Sequence, residues 1–198
     1  MKKKRIAIMA VCMGLGLGAV AGSYAWLTAE SDAITNTFTS SEKITIDLNE
    51  EFDKDAAAKY LPGDVLTKKP TVKNTSATTN AYAGIKVEFQ KTVNGVTTTI
   101  TRADFEANYA THDAIPAGWD LIKTGANGEE LYMYTTELAP NGSTPAIFTK
   151  VTVNGEIAVD AQGNLPKFDI VVTGYATQSK NVTPTMAQDS LIKLVGWN

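Results

Sequence analysis

Apolar and polar side chains alternate every second residue over long stretches of this chain of 198 residues. Ala83, Ile85, Val87 and Phe89 share one face of such a stretch, and Lys86, Glu88 and Gln90 share the other. A period of two sends neighbouring side chains to opposite faces of a strand, so only a sheet can bury this pattern. Val, Ile and Thr fill these stretches, and β-branched side chains suit a pleated surface. No repeat, heptad or low-complexity block interrupts them. The fold class expected is all-β, an antiparallel β-sandwich with one or two short helices.

Turn chemistry divides the chain. Lys43 to Leu48 alternates with Ile44, Ile46 and Leu48 on one face, and Phe52 to Lys59 reads as one helical turn or a loop. Leu61-Pro62-Gly63-Asp64 is a turn, because proline presets φ and glycine supplies the reversal. Val65 to Asn74 is extended, with Pro70 placing it at an edge or interrupting its ladder. After the Thr/Ser-rich loop from Asn74 to Asn80, Ala81 to Thr92 forms a strand. Asn94-Gly95 returns it as a hairpin through Val96 to Ile100. Thr101 to Asp104 resembles a capping box, so a short helix from Arg102 to about Tyr109 follows, with Phe105 and Tyr109 on one face. Thr111 to Gly118 reads as loop. Trp119 to Ile122 and Glu130 to Thr135 pair across Gly125 to Gly128, and Leu138 to Pro145 is turn-rich. Ile147 to Val153 alternates, and Asn154-Gly155 promises a hairpin into Ile157 to Val159. Lys167 to Gln178 carries apolar groups on both faces, which suggests a central strand. Thr183-Pro184 opens a last helix, whose stripe is Ala187, Leu191, Leu194 and Val195; Gly196 ends it.

The first residues have a different logic. Lys2, Lys3, Lys4 and Arg5 precede an uncharged run from Ile6 to Ala21, then Gly22-Ser23-Tyr24-Ala25. A basic head, a short apolar run and a small-residue junction make a secretory signal peptide. The run is short for a membrane span, which takes about 20 apolar residues. Cleavage is expected between Ala25 and Trp26, with a cut after Ala21 as the alternative; an uncleaved anchor is the other reading. The expected division is residues 1–25 as signal and 26–198 as a secreted domain. Membrane contact is then confined to the time before cleavage.

Charge narrows the partners. Losing the signal lowers the 18 basic residues to 14 against 21 acidic, a formal charge of −7. An acidic surface disfavours nucleic acid and anionic lipid, both of which call for clustered Lys and Arg. The single cysteine, Cys12, lies in the signal behind Val11, where lipidation would need a small residue. The mature chain therefore has no thiol chemistry.

Few residues suggest chemistry. His112 is the only histidine, within Thr111-His112-Asp113, so no His-Glu-x-x-His zinc motif exists and His112 reads as a solvated loop residue. No Gly-x-Ser-x-Gly elbow accompanies it. Asp53 with Asp55, or Glu129 with Glu130, could meet a hard cation, but neither has calcium-loop spacing. Trp119, Tyr132 and Tyr134 could line a glycan surface, at least one being better suited to the core. Asn74 and Asn181 head Asn-x-Ser/Thr sequences that matter only in a glycosylating host. The chain ends Leu194-Val195-Gly196-Trp197-Asn198, without a wall-sorting tail, and its start is unlike a type IV prepilin. No catalytic residue, metal or cofactor is expected.

Four motifs carry a family resemblance. They are the junction Gly22 to Thr28, the segment Thr35 to Thr39, the pairing of Leu61-Pro62-Gly63-Asp64 with Val72-Lys73-Asn74-Thr75, and the strand end Gly174-Tyr175-Ala176-Thr177-Gln178. Together they resemble the TasA / camelysin (CalY) family of secreted biofilm-matrix fibre proteins with SipW-type signal peptides. The stretch from about Lys91 to Leu165 does not take part. The resemblance implies a jelly-roll subunit, exported through a dedicated signal peptidase into the extracellular matrix or onto the cell surface. It also implies head-to-tail assembly of the protein with itself, and with other matrix proteins, by lending an N-terminal strand. Residues 26–39 are the expected donor region, with Ile34, Thr35, Asn36, Thr37, Phe38 and Thr39 as the strand. A strand at a free N-terminus leaves its sheet at little topological cost, and pairing on an open edge supplies affinity. Unlike donor and acceptor patches generate open filaments. The alternatives are a strand that pairs within its own domain, a secreted glycan- or host-binding module, and a camelysin-like metallopeptidase.

Overall fold

The structure, a computed structural model, describes residues 43–160 and 162–197. The expected signal, cleavage site and donor strand lie outside the described residues. Among the described residues nine strands and three short helices run in the order β1 (Ile46–Phe52), α1 (Lys54–Ala57), β2 (Val65–Asn74), β3 (Ala81–Val93), β4 (Val96–Ile100), α2 (Arg102–Asn108), β5 (Ala110–His112), β6 (Trp119–Thr124), β7 (Glu130–Tyr134), β8 (Lys150–Val153), β9 (Lys167–Gln178) and α3 (Pro184–Leu194). They form two antiparallel sheets. One has the order β1-β2-β8-β5. In the other, β3 pairs with β9 along one side and with β7 and then β4 along the other, and β6 lies beyond β7.

The alternation of β3 is realised directly. Ala83, Ile85, Val87 and Phe89 are buried against Val72, Phe148 and Val151 of the facing layer. Phe105 of α2 closes one end, its ring 5.0 Å from Phe89. Thr101 caps α2 by accepting from the Asp104 N–H. At the β3–β4 turn Asn94 (φ 52°) and Gly95 (φ 79°) both take positive φ, the primed turn that matches strand twist.

The outer face of β3 carries a second cluster. Tyr82, Leu131 and Met133 pack beneath Ala187 and Leu191 of α3. Gly84 allows this, since a Cβ there would stand 3.0 Å from the Tyr132 carbonyl and 3.2 Å from Leu191 Cδ1. Thr183 caps α3 and Pro184 opens it where its missing N–H has no intrahelical role. Leu194, expected in the stripe, is exposed, while Ile192 packs with the cluster.

Several expectations change. The first strand begins at Ile46 and continues to Phe52 because β2 offers partners that far, and Leu48 is partly exposed. Thr111 and His112 join β5, which β8 recruits across the sheet. Only Lys150–Val153 of the Ile147–Val153 stretch is strand. Ile147 instead buries its side chain and gives its N–H to Pro70. Pro70 interrupts a ladder as anticipated: β8 pairs only with Val65–Thr67, and irregular backbone continues along the rest of β2. The Asn154-Gly155 hairpin does not form; Asn154 caps a local turn, and Ile157 is buried without a strand.

β9 is the main correction. Among the described residues its only strand partner is β3, so it is an edge strand and not a central one. Its two apolar faces have another cause. Phe168, Ile170 and Val172 face the inter-sheet core, and Tyr175 packs with the α3 cluster. Coverage by layers above and below makes a strand apolar on both faces regardless of its lateral position.

The α3 cluster should be a measurable part of stability. Leu191→Ala is expected to cost about 2–5 kcal/mol in chemical denaturation, the range for emptying a fully buried leucine site. Gly84→Val should destabilise by pushing on Leu191 and the Tyr132 backbone, lowering the denaturation midpoint while the circular dichroism spectrum of the folded protein stays β-rich.

Candidate functional site

Two features share the β1/β9 side of the sandwich. The first is the outer edge of β9. Twelve residues, Lys167 to Gln178, pair with β3 in unbroken register from Thr92 to Ala81. In an antiparallel ladder the backbone groups that point away from the partner remain available for another strand.

The second is a groove of about 500 Å³ at one end of the sandwich. Its origin is a taper. Inward positions on β9 are large at the start, Phe168 and Ile170, and small at the end, Gly174 and Ala176. Where they are small the layers close: a Cβ at Gly174 would lie 3.5 Å from Ile46, Leu48 and Val72. At the large-residue end the groove opens, lined by Phe52, Tyr60, Leu66, Val151, Phe168 and Ile170. Tyr60 donates its hydroxyl to the Pro166 carbonyl and sets its ring 5.2 Å from Phe168. Burial pushes the Tyr60 phenol up from its usual range.

Lys68 is the charged group deepest in this region. Its side chain is 9 % exposed, its Nζ lies 2.6 Å from Glu50, and it sits 4.8 Å from the centre of the Phe52 ring. β1 and β2 bring the three together because Phe52 pairs with Lys68 and Glu50 with Pro70.

The sequence-derived candidates do not assemble. His112 is buried, not solvated: β5 turns it inward, with Phe148 stacked at 4.9 Å and Phe89 at 6.0 Å. Its Nδ1 lies 2.7 Å from the Asp113 carbonyl, which can only accept, so this nitrogen carries the proton. Burial lowers its pKa below 6.5. The neighbouring Asp113 carboxylate, raised by burial, is held below its usual value by Thr149 and the Lys150 N–H.

Asp53 caps α1 through the Ala56 N–H, and Glu129 accepts from Asn127. Glu130 faces Arg102 and accepts from Tyr132 at 2.7 Å. Among the described residues no three His, Cys, Asp or Glu side chains are gathered in a manner suited to a metal. The aromatic glycan surface fails for its main members, because Trp119 and Tyr132 are buried and Tyr134 packs on Trp119 at 5.4 Å. Asn74 is wholly buried; its side chain donates to the Thr79 and Leu138 carbonyls and accepts from Ser76, which removes it as a folded-state glycan acceptor. Asn181 is exposed, with φ 60°.

Sequence reasoning missed the groove. Its lining comes from four separated segments, and only the large-to-small run Phe168, Ile170, Gly174, Ala176 hints at the taper. Comparison with models of known protein families finds no match, and comparison with curated proteins finds none either.

His112 gives a pH test. Its folded pKa lies below the unfolded value of about 6.5, so the unfolded chain takes up the proton first. The stability of the neutral stacked ring is present above that value and is lost as pH falls through the folded pKa. Urea midpoints measured from about pH 7.5 down to about pH 5 should therefore fall, and His112→Gln should flatten the profile in that window.

Proposed function

We propose that this chain is a secreted structural subunit of an extracellular fibre or surface matrix, a jelly-roll-like sandwich that polymerises by strand addition. The observation that carries the reading is the β9 edge: twelve residues, roughly 40 Å of backbone, paired on one side only among the described residues. Soluble proteins normally cover or blunt such an edge. β9 has no proline, and its charges are limited to Lys167 and Asp169 near one end.

The path of the chain supports the same reading. The described chain starts at Lys43, next to Thr45, which donates its N–H to Ser76 and accepts from the Thr75 N–H. That is the end at which β9 finishes, since Gln178 pairs with Ala81 and Ser179 bonds Asn80. The large-residue end of β9 lies at the far end of the sandwich. A segment leaving one end of a subunit can lie along the β9 edge of the next, and such a contact is head-to-tail and open. Ile34 to Thr39 is the segment proposed to do so, freed by cleavage between Ala25 and Trp26. The family resemblance of the junction and of the Pro-Gly-Asp turn points the same way.

The purified processed protein should form filaments visible by negative-stain electron microscopy. Removing residues 26–39 should abolish them while the circular dichroism spectrum stays β-rich. A synthetic peptide of residues 30–40, added in trans, should cap growth and shorten the filaments. Filaments of unchanged length in both experiments would exclude strand addition by this segment.

A further inference from the structure

The groove has a polarity that edge pairing does not use. The whole chain has a formal charge of −3, yet the groove lining holds Lys54, Lys68 and Lys167 with one carboxylate, Asp169; Glu50, outside the lining, pairs with Lys68. An apolar floor under a cationic rim, in an otherwise acidic protein, is complementary to a ligand with an apolar body and a negative head. Its volume of about 500 Å³ falls within the usual range for small-molecule sites.

We propose that this groove binds a small amphipathic carboxylate, a medium-chain fatty acid or a molecule of like chemistry. The apolar body lies between Phe168 and Ile170 on one side and Leu66 and Val151 on the other. These come from different sheets, so the ligand enters between the layers and does not lie on a flat face. Lys68 holds the head. Its ammonium has three N–H donors and spends one bond on Glu50 at 2.6 Å, which leaves donors for a second carboxylate. Phe52 over the ammonium keeps it in place. Among the described residues Lys54 and Lys167 make no ion pair, and they extend the positive field to the mouth. The hydroxyl of Tyr60, bonded to the Pro166 carbonyl, holds Leu165 and Pro166 beside the groove, and they give the ligand a wall. The proposal is independent of polymerisation.

Titration calorimetry of the purified full-length chain tests it, with sodium decanoate below its micelle concentration as probe. Octyl glucoside tests the apolar contribution alone, and decylammonium tests the sign of the charge. Decanoate should bind saturably at one site, decylammonium should not, and raised salt should weaken decanoate. Lys68→Met keeps the apolar stem and removes the charge. It should weaken decanoate about tenfold, the loss of one charge-assisted hydrogen bond, and leave octyl glucoside unchanged. Glu50→Gln removes the competing carboxylate and should tighten decanoate. Should Lys68→Met fail to fold by circular dichroism, Lys167→Gln on the exposed rim and Glu50→Gln carry the test. The proposal is overturned if decanoate shows no saturable binding, if decylammonium binds as well, or if the charge variants leave decanoate affinity unchanged. Saturable binding of a peptide of residues 28–40 where decanoate does not bind would overturn it in favour of a protein occupant.

Discussion

The ladder between β3 and β9 is the interaction on which the rest of the sandwich depends. It joins residues from 97 positions apart (Ala81 with Gln178) to 75 positions apart (Thr92 with Lys167), without a register shift. It sets the inner faces of both strands against one core and their outer faces beneath α3. A slip of one residue would send Ile85, Val87 and Phe89 to the outer face, so the buried pattern itself holds the register. Contacts of such sequence separation must overcome the entropy of closing a long loop, and this topology is expected to fold slowly for its size.

The same ladder explains why one side of the sandwich differs from the other. β9 takes one side of β3, and among the described residues no further strand pairs with β9. Because side-chain size falls along the inner face of β9, the layers meet at Gly174 and part at Phe168. An edge unpaired among the described residues and a wedge-shaped opening thus come from one strand, through two separate properties: backbone pairing for the edge and side-chain volume for the groove. These suit different partners. An edge recognises another backbone with little regard to side chains, whereas a lysine-rimmed cleft selects for charge and apolar volume.

The buried polar groups specify the remaining geometry. Asn74 meets three backbone groups at the loop that leads into β3, and Lys68 is buried only because Glu50 and Phe52 come with it on the neighbouring strand. Such groups add little net stability when satisfied, but breaking one leaves its partners unpaired in the interior. His112 is the exception in kind: a titratable ring used as a flat aromatic between Phe89 and Phe148, which ties packing to pH.

Local rules were enough for much of the fold. Period-two alternation marked β3 and β9, Asn94-Gly95 marked its hairpin, and Thr101 and Thr183 marked the helix starts, because each depends on φ, ψ and hydrogen bonds within a few residues. The sequence by itself determined an all-β chain, the faces of its long strands and the positions of its tight turns. Only the tertiary structure decided that β9 pairs with β3 alone among the described residues, that His112 and Trp119 point inward, that Asn154-Gly155 turns without a returning strand, and that a cleft opens at the end of the sandwich where Phe52 and Phe168 lie. Alternation reports which side chains are buried, but it carries no record of which strand lies alongside or how far apart the layers stand. Those are set by pairings between distant residues and by the summed volumes of side chains from separate segments.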